Sequence, residues 1–212
     1  MTSSASDVVV LDYGSGNLHS ATRALIAAGA RVELTADPER ARTAAGLVVP
    51  GVGAFASCMA GLTAVGAPEI LAERVAASRP TLGICVGHQV LFEEGVEHGR
   101  RTRGLGLLPG TVARVPAPRL PHMGWNTAEP DPGSLLCPEP GEYYYFVHSY
   151  AVLDPAPLRT IGAKVTLTEH QGHRVVAAVE HGPLASMQFH PEKSGATGGR
   201  LLRRWVCSLD PR

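Results

Sequence analysis

The sequence predicts a single α/β domain with a mixed, mostly parallel central sheet, flavodoxin-like in its first part, helices on both faces and an antiparallel C-terminal extension. A length of 212 residues suits one large domain and is enough to bury a substantial core. Apolar strand patterns alternate with helical patterns up to about residue 105, and strand patterns separated only by turns follow. We therefore predict one domain over residues 1–212.

The first part of the chain carries the strand–helix alternation of a parallel sheet. Its near-continuous apolar runs predict strands that are buried on both faces. The first helix has Asn17 as its N-cap and Gly29 at its C′ position, which are typical residues for these places. The predicted strands span 8–13, 31–35, 46–51 and 81–85, and the predicted helices lie within 17–29, 68–79 and 86–96.

The second part of the chain predicts strands that follow one another without helices between them. This order indicates either an antiparallel extension of the first sheet or a second sheet. A final helix at 198–209 closes the domain, and proline-rich loops lie at 116–121 and 130–140. The predicted strands span 111–115, 142–152, 161–170, 174–181 and 185–190.

Composition excludes several functional classes. Lys and Arg total 19, as do Asp and Glu, so the formal net charge is zero and nucleic-acid binding is not the main activity. No segment approaches the roughly 18 apolar residues of a membrane-spanning helix, and the N-terminal segment lacks the pattern of a signal peptide. The widely spaced cysteines, without a CxxC pair, predict reduced thiols in a cytoplasmic protein.

Cys85 is the candidate nucleophile. The segment Gly83-Ile84-Cys85-Val86-Gly87 lies where a buried strand meets a helix, which is the thiol form of the G-x-S-x-G nucleophile elbow. Glycines permit this tight turn, and the amino end of the following helix favours a thiolate. The alternative is a buried structural cysteine, which we predict for Cys58, Cys137 and Cys207.

A cysteine nucleophile needs a base, and the base needs an orienting group. His190 follows an apolar strand, and Glu192 comes two residues later, so that both side chains of an extended segment would point to one side. The intervening Pro191 prevents the strand from simply continuing. We predict His190 as the base and Glu192 as its orienting group; the alternative is a surface His-Pro-Glu turn.

The segment Pro50-Gly51-Val52-Gly53 ends the third strand and would adjoin the Cys85 strand at the carboxyl edge of the sheet, where ligands bind in open α/β folds. Glycines let backbone N–H groups approach a substrate carbonyl. We predict the amides of Val52, Gly53 and Val86 as oxyanion donors, and the alternative is an ordinary glycine-rich turn.

The three segments PGVGAF, GICVGHQ and QFHPEKS together resemble the class I, or triad, glutamine amidotransferases over essentially the whole chain. The resemblance implies a type-1 glutamine amidotransferase domain that needs no cofactor or metal. It releases ammonia from glutamine through a thioester on Cys85, with His190 as base and Glu192 behind it. The residues that it implies for glutamine binding are Gln89, Gly51, His148 and Ser149.

Within this family, further segments are similar to the subunits that supply ammonia for histidine biosynthesis. These segments are DYGSGNLHS, PHMGWN, YYFVHSY and the lysine of FHPEKS. One position departs, because His88 stands where these subunits commonly have Met. The resemblance implies a separate (β/α)₈-barrel cyclase subunit as partner, since this chain is too short to contain such a barrel. The interface and coupling candidates are Asn17, Trp125, Asn126 and Lys193.

Other interpretations remain open. One keeps the triad and changes the partner, as in an anthranilate-, carbamoyl phosphate- or pyridoxal phosphate-type synthase. Another is a cysteine peptidase-like or chaperone protein, against which the PGVG segment and Gln89 argue. The Gly14-Ser15-Gly16 turn is not expected to bind a dinucleotide, because His19 stands where the fingerprint needs glycine. His170 and His173 lack the further ligands of a metal site.

Overall fold

The computed structural model describes residues 6–137 and 139–209. Both ends of the predicted domain, and one proline of the second proline-rich loop, lie outside the described residues. The described strands are β1 (Asp7–Leu11), β2 (Arg31–Thr35), β3 (Gly46–Gly51), β4 (Thr81–Cys85), β5 (Phe92–Glu97), β6 (Arg100–Arg103), β7 (Leu108–Arg114), β8 (His122–Thr127), β9 (Glu129–Pro130), β10 (Tyr143–His148), β11 (Tyr150–Val152), β12 (Lys164–His170), β13 (His173–His181) and β14 (Leu184–Met187). The helices are α1 (Leu18–Ala27), α2 (Pro38–Thr43), α3 (Phe55–Ala64), α4 (Ala67–Ala76), α5 (Val86–Gln89), α6 (Ala156–Thr160) and α7 (Gly195–Cys207), with a 3₁₀ turn at Pro191–Lys193.

The central sheet is mixed, as predicted. Its eight strands lie in the order β2-β1-β3-β4-β14-β13-β12-β9. The first five are parallel neighbours, and β13, β12 and β9 extend the sheet with antiparallel pairing. Every residue of β3 and β4 is buried, because helices cover both faces of the parallel part. Helix α1 packs on α7, whereas α4 packs on α2 and α3.

Two smaller sheets lie beside the central sheet in the described chain. A four-stranded sheet has the order β11-β7-β5-β6, and a two-stranded sheet pairs β10 with β8. The predicted continuous strand over 142–152 is therefore wrong. It is broken at Ser149, where the chain leaves one small sheet and enters the other.

The predicted helix over 86–96 is also wrong beyond its first turn. Helix α5 ends at Gln89, and β5 begins at Phe92. The strand is fixed by tertiary contacts, since it pairs with β6 and β7 on its two sides. A Cβ atom on Gly95 would lie 2.6 Å from the ring of Phe55, so this strand packs closely on α3. Contacts of this kind override a local helical pattern.

The longest described helix, α7, has 13 residues. Within residues 6–137 and 139–209, no single helix is long and apolar enough to cross a membrane. Helices α3 and α4 are long and apolar enough only when their lengths are added, and the two are bent by 82° relative to each other.

Candidate active site

Cys85 lies at the tip of the turn between β4 and α5. Its φ of 57° and ψ of −112° are a strained conformation for a residue with a side chain. Close backbone packing explains the neighbouring glycines: a Cβ atom on Gly87 would lie 1.8 Å from the carbonyl oxygen of Val49 in β3, and one on Gly83 would lie 2.6 Å from the carbonyl oxygen of Gly87 in α5. The fold thus presents the Cys85 thiol at the carboxyl edge of the sheet.

His190 and Glu192 lie beside Cys85, but the backbone that places them differs from the prediction. His190 is extended, but Glu192 lies in the 3₁₀ turn, so the turn rather than an extended segment brings the two side chains together. The Nδ1 atom of His190 is 2.7 Å from the Oε1 atom of Glu192. The backbone amide of His190 donates to the carbonyl oxygen of Tyr145 at 2.9 Å, which ties the turn to β10.

The surroundings of His190 favour its charged form. Burial alone would lower its pKa, but the hydrogen bonds to Cys85 and Glu192, and the negative charges of these groups, raise the pKa to about 9. Since Glu192 occupies Nδ1, Nε2 is the nitrogen left for the hydrogen bond between His190 and Cys85. The arrangement is that of a thiol and an imidazole that can exchange one proton.

The segment after β3 runs directly against the elbow. A Cβ atom on Gly51 would lie 2.5 Å from the backbone nitrogen of Gly87. The N–H of Val52 points to the Oγ atom of Ser15 at 3.5 Å, and the carbonyl oxygen of Val52 accepts from the same hydroxyl at 2.9 Å. Ser15 therefore contacts both backbone polar groups of Val52.

A cavity of about 220 Å³ opens at the sulfur. It is smaller than pockets for drug-sized ligands, which begin at about 300 Å³, and its size suits an amino acid. The predicted site residues that line it are Val52, Gly53, Cys85, Val86, Gln89, His148, Ser149, His190 and Lys193. Gly51 and Asn17 line an adjoining smaller cavity together with His190 and Glu192.

Trp125 and Asn126 line neither of these two cavities. Trp125 is 54% exposed on β8. The amide of Asn126 turns inwards, where it contacts His122 and the backbone of Glu169. The structure thus separates the four interface candidates into two beside the site, one on an open face and one behind it.

The cavity also contains residues that sequence reasoning missed. Glu97, at the end of β5, and Tyr150, at the start of β11, also line the cavity. Sequence reasoning missed them because it predicted a helix and a continuous strand in these two regions. Gln188 is fully buried, and its Nε2 atom lies 3.9 Å from the Sγ atom of Cys85. The signal for Gln188 was present in the sequence as a lone amide in the apolar segment before His190.

Gln89 joins the elbow helix to this buried amide. Its Nε2 atom donates to the Oε1 atom of Gln188 and to the carbonyl oxygen of Tyr150, both at 2.9 Å. His88, one residue earlier, is fully buried under the elbow and bonds through Nδ1 to the hydroxyl of Ser186 at 2.8 Å. Burial lowers the pKa of His88 to about 3, so it is neutral at pH 7. Its other ring nitrogen, Nε2, is buried without a hydrogen-bond partner in the described part of the chain, so the imidazole does not bond to the sulfur.

A larger cavity of about 750 Å³ lies at the other edge of the sheet. Its walls include Pro80 and Pro183, which precede the strands whose carboxyl ends form the site, and Trp205 of α7. It contains none of the predicted site residues, and the chemistry therefore belongs to the smaller cavity. Cys207 is exposed at its rim, so the prediction of a buried structural cysteine is wrong at this position.

The outer face of the β8–β10 sheet leaves apolar side chains in solvent. We define this outer face by Met123, Trp125, Tyr145 and Val147, which stand opposite one another in the antiparallel register. Met123 is 61% exposed, and Val147 lines the cavity at Cys85. An apolar face that adjoins a pocket is typical of a protein–protein contact surface.

Within the described residues, no group of three or more His, Cys, Asp or Glu side chains is arranged to hold a metal ion. The pair His170 and His173, at the turn between β12 and β13, is consequently without further ligands of these types in the described chain.

Comparison with known proteins gives a consistent result. The profile of the family "Glutamine amidotransferase class-I" matches residues 9–208. "Imidazole glycerol phosphate synthase subunit HisH" of Nocardia farcinica is 56% identical, over 95% of this chain and 98% of its own length. The subunit of that name from Mycobacterium tuberculosis strain H37Rv is 54% identical, over 97% and 99% of the two chains.

Solved structures support the fold. One described as "Crystal structure of glutamine amidotransferase" superimposes with a TM-score of 0.71 at 21% identity, covering 94% of this chain and 98% of that one. The glutaminase domain of Trypanosoma brucei CTPS with bound acivicin gives a TM-score of 0.65 at 15% identity, covering 99% and 96% of the chains. At these identities the likeness concerns the fold alone.

Proposed function

The chain belongs to the class-I glutamine amidotransferase family and groups with its HisH members, and from this premise we propose that it is the glutaminase subunit of an imidazole glycerol phosphate synthase. It hydrolyses glutamine to glutamate and ammonia and passes the ammonia to a cyclase subunit in L-histidine biosynthesis. The observation that carries the proposal is the meeting of Cys85 and His190, with Glu192 behind the imidazole, at an amino-acid-sized cavity.

The proposed reaction passes through a thioester. The Cys85 sulfur attacks the side-chain amide carbon of glutamine. His190 passes the proton of the thiol to the amide nitrogen, the C–N bond breaks, and the nitrogen leaves as ammonia. His190 then takes a proton from water, whose oxygen attacks the thioester carbon. The C–S bond breaks, glutamate leaves, and the proton returns to the sulfur. Glu192 holds the imidazole so that Nε2 serves both steps.

The cavity offers complementary groups for the two ends of glutamine. Glu97 contributes a carboxylate to the wall, which suits the α-ammonium group, and its Oε2 atom is held by the amide of Phe55 at 3.0 Å. We assign Gln89 and the backbone of Gly51, His148 and Ser149 to the rest of the amino-acid head group. A ligand as polar as glutamine needs such paired donors and acceptors.

The oxyanion hole is only partly prepared. Gly53 and Val86 line the cavity, and their N–H groups have no acceptor among the described residues. The N–H of Val52 is turned to Ser15 instead. We propose that the partner subunit stimulates hydrolysis by releasing the Val52 peptide, so that the isolated chain is a poor glutaminase. A missing oxyanion donor typically costs about 10²-fold or more in turnover.

The partner binds, in this proposal, on the outer face of the β8–β10 sheet. Ammonia released into water would be protonated and lost, so the cyclase must cover the cavity mouth. The proposed contacts are Trp125 on the outer face, whose Val147 lines the cavity, and Asn17 and Lys193 in the cavity walls. The free thiol that the chemistry needs suits the reducing cytoplasm.

The decisive experiment compares Cys85→Ala with Cys207→Ala in a complex with the (β/α)₈-barrel cyclase. Cys207 is an exposed free thiol outside the cavity and provides a matched control. We expect Cys85→Ala to abolish glutamine-dependent synthesis of imidazole glycerol phosphate and to leave ammonia-dependent synthesis intact, with both activities normal in Cys207→Ala. Loss of both activities in Cys85→Ala, or retention of glutamine-dependent synthesis, would contradict the proposal.

A second measurement separates this assignment from other amidotransferase partners. The wild-type chain should restore glutamine-dependent growth to a histidine-requiring strain that lacks its own glutaminase subunit. Restoration of another ammonia-requiring pathway, with no effect on the histidine requirement, would show that the partner is a different synthase.

A further inference from the structure

Two buried imidazoles, that of His148 in the cavity wall and that of His122 behind it, have no chemical role in the proposed reaction. His122 and His148 are 4% and 6% exposed. The Nδ1 atom of His122 is 3.0 Å from the Nε2 atom of His148. A hydrogen bond between two ring nitrogens holds a single proton, so its direction depends on what the other nitrogen of each ring contacts.

The groups at the two ends fix this direction. On one side, the Nδ1 atom of His148 is 3.1 Å from the carbonyl oxygen of Tyr150, which can only accept, so Nδ1 carries a proton. On the other side, the Nδ2 atom of Asn126 is 3.1 Å from the Nε2 atom of His122. If this Asn126 nitrogen donates, the Nε2 atom of His122 carries no proton.

The orientation of the Asn126 amide is itself determined by its contacts. Its Oδ1 atom accepts from the backbone N–H of Thr127 at 2.9 Å, and its Nδ2 atom donates to the carbonyl oxygen of Glu169 at 2.7 Å. A flipped amide would place an N–H against an N–H and an oxygen against an oxygen. Asn126 is therefore a donor to His122.

The proton count then has one solution. With Nδ1 of His148 protonated and Nε2 of His122 bare, the shared proton lies on Nδ1 of His122. Both rings are neutral and both are Nδ1–H tautomers. Burial, reinforced by the neighbouring His170, lowers the pKa of His122 to about 4, and burial with the charge of His122 lowers that of His148 to about 3. A charged ring would place two N–H groups against each other.

The hydrogen-bond chain ends on the wall of the glutamine cavity. The carbonyl oxygen of Tyr150 accepts from His148 on one side and from Gln89 of the elbow helix, at 2.9 Å, on the other. Gln89 also donates to Gln188, whose amide nitrogen faces the Cys85 sulfur at 3.9 Å. The break between β10 and β11, where Ser149 lines the cavity, is thus held from both sides.

We propose that Asn126, His122 and His148 form a hydrogen-bonded relay of fixed direction, which positions the Ser149–Tyr150 wall and the Gln89–Gln188 amides around glutamine and Cys85. The relay rests on the proposed function and deepens it. Trp125 precedes Asn126 on β8 and points outwards, whereas Asn126 points inwards. A partner seated on the outer face would therefore act one residue away from the head of the relay.

The first test measures the tautomers directly. In full-length protein labelled with ¹⁵N in histidine, long-range ¹H–¹⁵N correlation spectra at pH 7 should show protonated Nδ1 and bare Nε2 for both His122 and His148. The common tautomer of free histidine is the opposite one, so the result is diagnostic. An Nε2–H tautomer or a charged ring at either position would overturn the relay, whether or not the protein hydrolyses glutamine.

The second test reverses the donor at the head of the relay. Asn126→Asp keeps the size of the side chain but replaces the donor with an acceptor, so the Nε2 atom of His122 must carry a proton and the ring leaves its neutral Nδ1–H form. With the cyclase bound, we expect the KM for glutamine to rise about fivefold with a smaller change in kcat, as for the loss of one buried hydrogen bond. His173→Gln, outside the relay, is the control. An unchanged KM alongside an altered His122 tautomer would overturn the positioning role.

A third readout does not depend on glutamine hydrolysis. Iodoacetamide alkylates Cys85, with loss of iodide, at a rate that depends on how the Gln89 and Gln188 amides are positioned near the sulfur. Exposed Cys207 provides an internal reference in the same chain. We expect Asn126→Asp to change the ratio of the two rates, as measured by mass spectrometry. Absence of wild-type glutaminase activity would refute the proposed function, whereas an unchanged ratio together with unchanged tautomers would refute the relay.

Discussion

The Nδ1 atom of His190 lies 2.7 Å from the Oε1 atom of Glu192, and both side chains are only 3% exposed. The second carboxylate oxygen of Glu192 is buried and has no hydrogen-bond partner within the described part of the chain. The carboxylate therefore acts on a single imidazole nitrogen. This leaves the other nitrogen of His190 to the sulfur of Cys85.

The first prediction concerns Glu192→Gln. A glutamine amide in this place removes the charge that favours the imidazolium and allows the other His190 tautomer. We expect kcat for glutamine hydrolysis in the complex to fall by about 10²- to 10⁴-fold with little change in KM. Glu69→Gln, an exposed change in the first turn of α4, is the control. A kcat within a factor of about two of wild type would show that Glu192 does not orient the base.

The second prediction is a pH dependence of stability. The pKa of His190 is raised from its ordinary 6.5 to about 9 in the folded protein, so the folded state binds this proton more tightly than the unfolded state. The resulting stabilisation is complete below pH 6.5, declines as the pH rises and is lost above about pH 9. Urea unfolding of wild type and His190→Gln should give a difference in unfolding free energy that shrinks over this range. A difference that grows with pH would contradict the raised pKa.

The third prediction concerns the contact between Ser15 and Val52. Ser15→Ala removes the hydroxyl that bonds to the N–H and the carbonyl oxygen of Val52, and so frees this N–H as an oxyanion donor. We expect the glutaminase activity of the isolated chain to rise about fivefold, the value of one hydrogen bond. Ser208→Ala, which removes a hydroxyl at the end of α7, is the control. Unchanged or lower activity in Ser15→Ala would show that this contact does not limit hydrolysis.

The fourth prediction uses two adjacent glycines of α7. A Cβ atom on Gly198 would lie 2.0 Å from the carbonyl oxygen of Pro191, whereas one on Gly199 would have nothing within 4 Å. We expect Gly198→Ala to destabilise by about 3 kcal/mol and to impair hydrolysis, because the helix is pushed away from the His190 turn. Gly199→Ala should stabilise by about 0.5–1 kcal/mol. Denaturant titrations that give the same sign for both variants would contradict the close contact.

The fifth prediction tests the outer face of the β8–β10 sheet. Trp125→Ala should weaken cyclase binding by about thirtyfold, as for an aromatic residue at the centre of an interface. Leu135→Ala is the matched control, since Leu135 is 67% exposed but lines the larger cavity at the other edge of the sheet. Titration calorimetry gives both dissociation constants. Equal effects of the two changes would show that the cyclase does not bind on this face.

The elbow could be predicted from the sequence because its chemistry demands particular residues at particular spacings. Only glycine fits at positions 83 and 87, as the 2.6 Å and 1.8 Å contacts of an added Cβ show. The His-Pro-Glu segment could be found for the same reason, although its turn geometry could not. The roles of these residues in catalysis remain predictions for the variants above to test.

Other features depend on contacts between distant segments. The sequence after Gln89 has a helical pattern, yet the chain forms β5 because β6 and β7 supply its hydrogen bonds. Glu97 joins the cavity only through this pairing. The direction of the His122–His148 bond depends on β8, β10, β11 and β12 together, and no local pattern contains that information.

The carbonyl oxygen of Tyr150 accepts hydrogen bonds from both His148 and Gln89. Because this acceptor belongs to the main chain, no single amino-acid replacement can delete it. Substitutions can therefore alter this junction through the two donors that converge on it, His148 and Gln89.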